Sequence, residues 1–270
     1  MNQLNRIYQS YLDFAVETAY LAGRLTLGYF HSNTKADFKA DDTPVTAADR
    51  EAEALIRKRI ENAYPGHAIV GEEYGASGKS DESHRWFVDP IDGTKSFVHG
   101  VPLYSVLIGL EIEGNVEVGV VYFPALDEMV AASTGGGCRL NGRPVHVSQV
   151  ESLDRATVAF TDAGSFAAHN RAGAWDRIQK AAWFRAGWGD AYGHCLVATG
   201  RVGVMLDPIM SVWDCAPFPP IMKEAGGYFG DWQGRETIYA SEALSTTRSL
   251  LPEVLALIEG AGVTGCPAGV

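Results

Sequence analysis

One short segment carries most of the structural information in this chain: Trp86-Phe87-Val88-Asp89-Pro90-Ile91-Asp92-Gly93-Thr94. It begins as an apolar strand and ends in two carboxylates. Pro90 holds φ near −65° and lacks an N–H donor, and Gly93 allows positive φ. The two residues predict a sharp turn that directs Asp89, Asp92 and the Ile91 carbonyl to one place. Converging hard oxygens suit Mg²⁺ or Mn²⁺. The same residue types also favour ordinary polar turns, so this segment alone leaves both interpretations open.

Two further segments place acidic side chains at the ends of predicted elements. Glu72 and Glu73 follow the apolar run 68–70, and Asp214 stands at the start of a predicted helix, directly after Trp213. Each has an ordinary interpretation as well. The two glutamates are typical of solvated loop charges, and an aspartate in a first helical turn is stabilised by the helix dipole.

Apolar spacing predicts the order of the secondary-structure elements. Amphipathic helices are predicted over 4–30 and from Thr46 to Tyr64, and a strand-rich region follows. Glu113-Gly114-Asn115 predicts a hairpin turn. The remaining predicted strands lie at 68–70, 86–88, 105–110, 116–123, 129–132, 156–160 and 202–206, and the remaining helices at 175–184, 191–198 and 251–258. This order predicts an α+β part followed by an α/β part.

The segment 135–144 has the densest turn signals in the chain and predicts a boundary near residue 150. We expect an N-terminal α+β subdomain over 1–150 that carries most of the metal ligands. The C-terminal α/β subdomain, over 151–270, would carry Asp214 and the substrate pocket. Residues 135–142 and 75–83 are expected to be mobile surface segments, the second of them folding over the site. Prolines are expected to kink or delay the helix after Asp214; they are Pro217, Pro219 and Pro220.

Composition narrows the class of protein. The 270 residues are 46% hydrophobic and 20% charged, which is typical of a globular protein and excludes a disordered or collagen-like chain. The net charge of −11 argues against a nucleic-acid or anionic-membrane partner. No signal peptide or apolar run of membrane-spanning length is apparent. No C-x-x-C pair occurs among the cysteines, so we expect reduced thiols and a cytoplasmic location; they are Cys138, Cys195, Cys215 and Cys266.

Five segments, taken in order, resemble the inositol monophosphatase superfamily of metal-dependent phosphomonoesterases. They are Thr43-Pro44-Val45-Thr46-Ala47-Ala48-Asp49, Gly71-Glu72-Glu73, Asp89-Pro90-Ile91-Asp92-Gly93-Thr94, Trp213-Asp214-Cys215-Ala216 and Glu224-Ala225-Gly226-Gly227. The resemblance implies a layered αβαβα sandwich like that of the inositol monophosphatase and fructose-bisphosphatase fold. Within the superfamily the chain looks most like the histidinol-phosphate phosphatase branch. That likeness rests on Gly189-Asp190-Ala191-Tyr192, Cys195-Leu196-Val197-Ala198 and the run from Pro208 to Trp213.

The resemblance implies a set of metal ligands and a catalytic pair. The implied ligands are the side chains of Glu72, Asp89, Asp92 and Asp214 and the main-chain carbonyl of Ile91. Two or three Mg²⁺ (or Mn²⁺) ions would offset the repulsion between these acids and attract a phosphate. Thr94 and Asp49 would orient a metal-bound water for in-line attack on phosphorus, with Glu73 assisting. The main-chain N–H groups of Gly93 and Thr94 would bind phosphate oxygens, and Thr94 could also cap a helix.

The organic half of the substrate has to be recognised elsewhere. Histidinol phosphate carries an amine and an imidazole, for which carboxylates are suitable partners. Asp190 and Asp207 lie in segments that the family uses for substrate contacts. Alternatively, Asp190 caps the helix at Ala191 and Asp207 opens the Asp207-Pro208 turn. His99 and His194 have a structural as well as a functional interpretation.

The sequence therefore favours a Mg²⁺-dependent phosphomonoesterase that hydrolyses histidinol phosphate in histidine biosynthesis. One alternative keeps the mechanism and changes the substrate to inositol 1-phosphate or, more remotely, to a nucleotide 3′-phosphate or fructose bisphosphate. The lack of a basic cluster beside the motifs argues against doubly phosphorylated substrates. A second alternative is a non-catalytic regulatory protein of the same fold. The partner expected for the chain is a small phosphorylated metabolite, and the resemblance implies a homodimer.

Overall fold

The computed structural model describes residues 3–32, 37–38, 44–78 and 83–260. Thr43, residues 79–82 of the predicted mobile loop, and Cys266 lie outside these ranges. The helices are α1 (Gln3–Tyr29), α2 (Ala47–Ala63), α3 (Thr94–Val98), α4 (Ser165–Ala168), α5 (Ala172–Ala181), α6 (Asp190–Ala198), α7 (Val212–Cys215), α8 (Phe218–Ala225) and α9 (Leu251–Glu259), with a 3-10 turn at Leu153–Arg155. The strands are β1 (Asp37–Phe38), β2 (Pro44–Val45), β3 (Ala68–Gly71), β4 (Gly75–Ser77), β5 (His84–Asp92), β6 (Ser105–Ile112), β7 (Asn115–Phe123), β8 (Glu128–Ser133), β9 (Gly137–Leu140), β10 (Arg143–Pro144), β11 (Thr157–Phe160), β12 (Phe184–Ala186), β13 (Val204–Asp207), β14 (Gly227–Gly230) and β15 (Ala243–Thr247).

Two large sheets organise the described strands. The first has eight strands in the order β10-β9-β8-β7-β6-β5-β3-β4, and only its β3–β5 pair is parallel. The second has five strands in the order β12-β11-β13-β15-β14, with β11 parallel to both of its neighbours. The short pair β1–β2 forms a separate ribbon.

Five layers stack through three apolar cores. Helices α1 and α2 pack on one face of the eight-stranded sheet, where the side chains of Trp86 and Val88 point. The neighbouring Phe87 points to the opposite face, because side chains alternate along a strand, and it packs there among residues of α6 and α8. Helices α5 and α9 cover the far face of the five-stranded sheet. This arrangement confirms the predicted αβαβα sandwich.

Most of the predicted elements are confirmed within a few residues. Helices α1 and α2 correspond to the predictions over 4–30 and 46–64, and the hairpin turns at Glu113 and Gly114, both with positive φ. The prolines delay the helix after Asp214 as expected, since α7 ends at Cys215 and α8 begins at Phe218. The proposed division of the chain at residue 150 stays a prediction.

Two expectations are wrong in detail. The helix predicted over 175–184 ends at Ala181, because Ala182 adopts an extended backbone and Phe184 starts β12 beside β11. The segment 135–142, expected to be a mobile turn, contains β9, which pairs with β8. Glu224 also holds this segment, because its carboxylate accepts hydrogen bonds from the N–H groups of Gly135 (2.9 Å) and Gly137 (2.8 Å).

A pair of glycines lets the chain around Asp214 approach the eight-stranded sheet closely. Gly109 on β6 lies directly opposite Gly119 on β7. A Cβ at Gly109 would lie 2.7 Å from the Ala216 Cβ, and one at Gly119 only 1.9 Å from the Pro217 carbonyl oxygen. The α7–α8 junction therefore rests on bare backbone, and this contact sets how close Asp214 comes to β5.

Substitution at this contact is expected to destabilise the protein. Gly119→Ala should lower the free energy of unfolding by about 1–3 kcal/mol, because the added methyl group overpacks the sheet against Pro217. Gly28→Ala in α1 is the matched control, since among the described residues no atom beyond the neighbouring helix backbone lies within 4 Å of the place that its methyl group would take. It should raise stability by about 0.5–1 kcal/mol through helix propensity. Denaturant unfolding of both variants checks this; equal effects would contradict the proposed contact.

Candidate active site

A β-bulge brings the two aspartates of the central segment to one side of β5. Asp89 pairs with Leu107, and Asp92 pairs with Ser105. Three steps along β5 thus face two along β6, which leaves one extra residue in β5. Residues three apart in a regular strand would point to opposite faces, so the bulge reverses this and directs both carboxylates to the same place.

The carboxylates of Asp89, Asp92 and Asp214 form one cluster. Each offers an oxygen atom, and the three oxygens lie within 4.8 Å of one another. Asp89 is only 3% exposed, and the other two are half-buried. Asp214 is held by its own helix start, where its carboxylate accepts a hydrogen bond from the Ser211 N–H at 2.8 Å. The helix-acid interpretation of Asp214 is confirmed, and its role as a metal ligand, which this position also allows, stays a prediction.

Repulsion and burial keep these acids from ionising together. Burial raises the pKa of Asp214 to about 7, and the charge of Glu72 adds to this. Burial also raises the pKa of Asp89 well above its usual range, with the charges of Glu72 and Asp214 as further causes. The pKa of Asp92 rises likewise, through burial and then through the charge of Asp190. A cluster of this kind needs protons or a cation to balance it.

Glu72 and Ile91 lie next to the cluster, although neither belongs to the group of three oxygens. The charge of Glu72 acts on Asp89, and the Glu72 N–H donates to the Val88 carbonyl at 3.2 Å. The Ile91 N–H donates to the Asp89 carboxylate at 2.9 Å, and its carbonyl accepts a hydrogen bond from the Thr94 hydroxyl at 3.1 Å. Their roles as ligands stay predictions.

Asp49 is the third residue of α2 and forms a capping box with Thr46, the residue before the helix. One carboxylate oxygen accepts hydrogen bonds from the Thr46 N–H (2.8 Å) and from the Thr46 hydroxyl (2.6 Å). The other oxygen, Oδ1, is buried and has no hydrogen-bond partner in the described part of the chain. Burial raises the pKa of Asp49 to about 6. The two hydrogen bonds from Thr46 act to lower this pKa, and the charges of Glu73 and Glu72 raise it further. Asp49 thus lies near the two glutamates.

The turn after Asp92 brings the two parts of the chain together. Gly93 has φ of 75° and is the residue before α3, so Gly93 occupies the cap position and Thr94 is the first residue of the helix. The interpretation of Thr94 as the helix cap is therefore wrong. A Cβ at Gly93 would lie 3.1 Å from the Asp190 carboxylate. Asp92 accepts hydrogen bonds from the Ala191 N–H (2.9 Å) and from the Ser105 hydroxyl (3.1 Å). The start of α6 is therefore bonded directly to the acidic cluster.

Asp190 occupies a strained backbone position. Its φ of 53° is left-handed, and its N–H donates to the Thr161 hydroxyl at 2.8 Å. It is the first residue of α6, and Gly189 stands in the cap position, so the capping interpretation of Asp190 is wrong. Burial raises its pKa to about 6, the charge of Asp207 adds to this and that of Lys95 opposes it.

The other predicted residues have distinct surroundings. Asp207 is buried and bonded to His194, whose Nε2 lies 3.2 Å from the Asp207 Oδ2. His99 is exposed at the end of α3, with its Nδ1 2.8 Å from the Lys95 carbonyl, and it does not join the cluster. Glu73 is placed through its backbone, since its N–H donates to the Glu53 carboxylate at 2.7 Å.

Sequence reasoning missed the ion pair that holds the Glu72–Glu73 segment. Glu53 is fully buried in α2, 2.7 Å from the Arg57 guanidinium, and it also accepts the N–H of Tyr74 at 3.2 Å. Arg57 in turn donates to the Ser77 hydroxyl at 2.6 Å and to the Gly75 carbonyl. The spacing of four residues on a helix signals the pair, but not the turn to which it binds.

The donor set fits a hard divalent cation. The cluster of Asp89, Asp92 and Asp214 offers only carboxylate oxygens, the ligands that Mg²⁺ and Mn²⁺ prefer. The raised pKa values fit as well, because a bound cation would relieve the repulsion that causes them. No described cysteine belongs to this group; Cys138, Cys195 and Cys215 are free and buried.

The sequence matches the model of the inositol monophosphatase family over residues 7–261. The chain therefore belongs to this family, as the resemblance implied, and it is a phosphoric monoester hydrolase.

Individual relatives agree with this assignment. The chain is 45% identical to a histidinol-phosphatase of Chlorobaculum parvum, over 93% of this chain and 97% of that protein. It is 33% identical to an inositol-1-monophosphatase of Mesorhizobium japonicum, over 83% of this chain and 86% of the relative. Among solved structures, the extragenic suppressor protein suhB of Bartonella henselae superposes with a TM-score of 0.87 at 25% identity, covering 94% of this chain and all of the other. Within the described ranges, no helix combines the length and apolar character needed to cross a membrane.

Cation binding is expected to release protons and to strengthen as the pH rises. An acid with a raised pKa holds its proton near neutral pH, and the proton must leave before a cation binds. For Asp214, with a pKa of about 7, the apparent affinity for Mn²⁺ should rise about tenfold from pH 6 to pH 8. Calorimetric titration in buffers of different ionisation enthalpy measures both the affinity and the proton release.

Two substitutions control this measurement. Asp214→Asn should reduce the proton release and weaken binding, whereas Asp176→Asn removes an exposed carboxylate paired with Lys180 and should change neither. An affinity that is the same at pH 6 and pH 8 would show that the raised pKa values do not belong to the binding site.

Proposed function

We propose that this protein hydrolyses histidinol phosphate to histidinol and inorganic phosphate with the help of bound Mg²⁺. The observation that carries the proposal is the position of Asp190, whose carboxylate lies against Gly93 at the turn of the acidic cluster. Asp207 lies close enough for its charge to act on Asp190. Two carboxylates beside a phosphate-binding turn suit an alcohol that carries cationic groups.

Two or three Mg²⁺ or Mn²⁺ ions would be held by the carboxylates of Glu72, Asp89, Asp92 and Asp214, with the Ile91 carbonyl as a further ligand. When bound, such cations act as Lewis acids: they withdraw charge from the phosphate and lower the pKa of a water molecule. They would also give an electropositive centre to a chain whose net charge is −11.

The residues around the cluster supply positioning and proton transfer. In the proposed reaction the oxygen of water attacks phosphorus, the bond from phosphorus to the alcohol oxygen breaks, and the alcohol oxygen gains a proton. Thr94 and Asp49 orient the attacking water, and the carboxylate of Asp49 accepts its proton; the buried Oδ1 of Asp49, which has no partner among the described residues, supports this role. Glu73 assists from the neighbouring turn. The main-chain N–H groups of Gly93 and Thr94 bind phosphate oxygens, because the first N–H groups of a helix lack partners within it.

Sequence identity supports histidinol phosphate over inositol 1-phosphate as the substrate. The chain is 45% identical to the named histidinol-phosphatase and 33% identical to the named inositol-1-monophosphatase. Inositol 1-phosphate remains the second candidate, because it requires the same mechanism and offers only hydroxyl groups to Asp190 and Asp207. The regulatory alternative has less support, since the expected acidic ligands are all present in the sequence. A place in histidine biosynthesis, a cytoplasmic location and a homodimer stay predictions.

A substrate panel tests the proposal. With Mg²⁺, the purified protein should release phosphate from histidinol phosphate with a higher kcat/KM than from inositol 1-phosphate, a nucleotide 3′-phosphate or fructose bisphosphate. EDTA should abolish release, because the carboxylates alone cannot neutralise the phosphate. Asp92→Asn should reduce turnover by at least about a hundredfold while the protein stays folded, since it removes a ligand charge from the cluster. Asp176→Asn serves as the control and should retain full activity.

The possible results separate the hypotheses. Turnover of inositol 1-phosphate without turnover of histidinol phosphate would replace the substrate and keep the mechanism. Full activity of Asp92→Asn would contradict the metal assignment. No phosphate release from any member of the panel would favour the regulatory alternative.

A further inference from the structure

A buried chain of hydrogen bonds connects the interior of the protein with Asp207. The Ser245 hydroxyl on β15 lies 2.7 Å from the Nδ1 of His194, and the Nε2 of His194 lies 3.2 Å from the Asp207 Oδ2. Ser245 and His194 are fully buried, and Asp207 is 5% exposed. Both ring nitrogens of this imidazole therefore have partners, and neither partner is water.

The chemistry of Ser245, His194 and Asp207 determines which atom donates and which accepts in each of these hydrogen bonds. An ionised carboxylate only accepts hydrogen bonds, so the Nε2 of His194 carries the hydrogen and donates it to Asp207. In the neutral imidazole Nδ1 is then an acceptor, and the Ser245 hydroxyl donates to it. The ring is also fixed by packing, with its centroid 4.7 Å from that of Phe218 and 5.8 Å from that of Phe229.

His194 contacts only one carboxylate oxygen of Asp207, the Oδ2. No hydrogen bond to the Asp207 Oδ1 occurs in the described part of the chain, and this oxygen is not among the fully buried unpartnered atoms. The charge of Asp207 acts on Asp190 and on Asp214. Its carboxylate therefore lies within electrostatic reach of both acids.

Helix α6 carries both Asp190 and His194, the residue that contacts Asp207. Asp190 and His194 are four residues apart, so they lie on the same face of the helix. Asp190 lies against the turn at Gly93, and His194 binds Asp207. One rigid element thus sets the distance between the two carboxylates.

We propose that His194 is a positioning residue for substrate selection. It holds one oxygen of Asp207, so that the other oxygen is aimed at a cationic group, an ammonium or imidazolium, on the alcohol part of the phosphomonoester. This inference rests on the proposed function and adds to it the residue that orients the cation-binding carboxylate. Without the Nε2 donor, Asp207 is free to adopt other rotamers, and the hydrogen bond to the charged group is lost or weakened.

The test compares a cationic substrate with one that carries no cation. Steady-state kinetics with Mg²⁺ would be measured on histidinol phosphate and glycerol 2-phosphate for the wild type and four variants. His194→Leu removes the donor to Asp207, and His194→Gln keeps a side-chain N–H. Ser245→Ala removes the hydroxyl that contacts Nδ1 of His194. His146→Gln replaces an exposed histidine and is the matched control.

The expected result is a selective loss of binding. His194→Leu should raise KM for histidinol phosphate about tenfold, which corresponds to one hydrogen bond to a charged group, and leave kcat within about threefold. Its kcat/KM for glycerol 2-phosphate should stay within about twofold of the wild type. His194→Gln should recover most of the loss, Ser245→Ala should show a smaller loss of the same kind, and His146→Gln should show none.

Other results overturn the inference. Equal losses on both substrates, together with a lower Tm, would assign His194 a merely structural role. If His194→Leu does not fold, His194→Gln and Ser245→Ala decide the question. The quantity compared is then the ratio of kcat/KM for histidinol phosphate to kcat/KM for glycerol 2-phosphate. A wild type that does not prefer histidinol phosphate to glycerol 2-phosphate would overturn the proposed substrate and this inference together. A wild-type preference that persists in His194→Leu would overturn this inference alone.

Discussion

Mutual repulsion among closely spaced carboxylates, one buried and two half-buried, is the constraint on which the rest of this structure depends. Oxygens of Asp89, Asp92 and Asp214 lie within 4.8 Å of one another, and full burial of Asp89 and partial burial of the other two limit their screening by water. Three negative charges at this distance are not stable together without protons or a cation. Several features of the fold nevertheless hold these acids close together, despite the unfavourable repulsion between their charges. We therefore regard the cluster as a candidate cation site that the surrounding structure maintains.

Four structural features position the acids of the cluster. A bulge in β5 turns Asp89 and Asp92 to the same side. The facing glycines 109 and 119 let the α7–α8 junction lie on the sheet, and a hydrogen bond at the start of α7 directs Asp214. The Ala191 N–H then ties the C-terminal part of the chain to Asp92. Each feature uses backbone geometry more than side-chain flexibility, and such preorganisation favours a defined charge distribution.

Local parts of this account could be predicted from the sequence. Pro90 and Gly93 indicate the turn, Thr46 and Asp49 indicate a helix start, and the apolar periods indicate the main helices and strands. The sequence could not indicate that Asp190 lies against Gly93, that Glu53 holds the Glu72–Glu73 turn, or that His194 binds Asp207. These contacts join residues distant in the chain, and they depend on how the layers stack, which local propensity does not specify. Strands β9 and β12 were missed for the same reason, because pairing with a neighbour outweighs local turn or helix signals.

The central claim is that the three aspartates bind a divalent cation together. Crystals soaked in Mn²⁺ and measured at the manganese absorption edge test it most directly, because anomalous scattering locates the ion independently of the protein atoms. The account predicts at least one anomalous peak at coordination distance from oxygens of Asp89, Asp92 and Asp214. Peaks that lie only elsewhere, or carboxylates that turn away from one another in the soaked crystal, would contradict it.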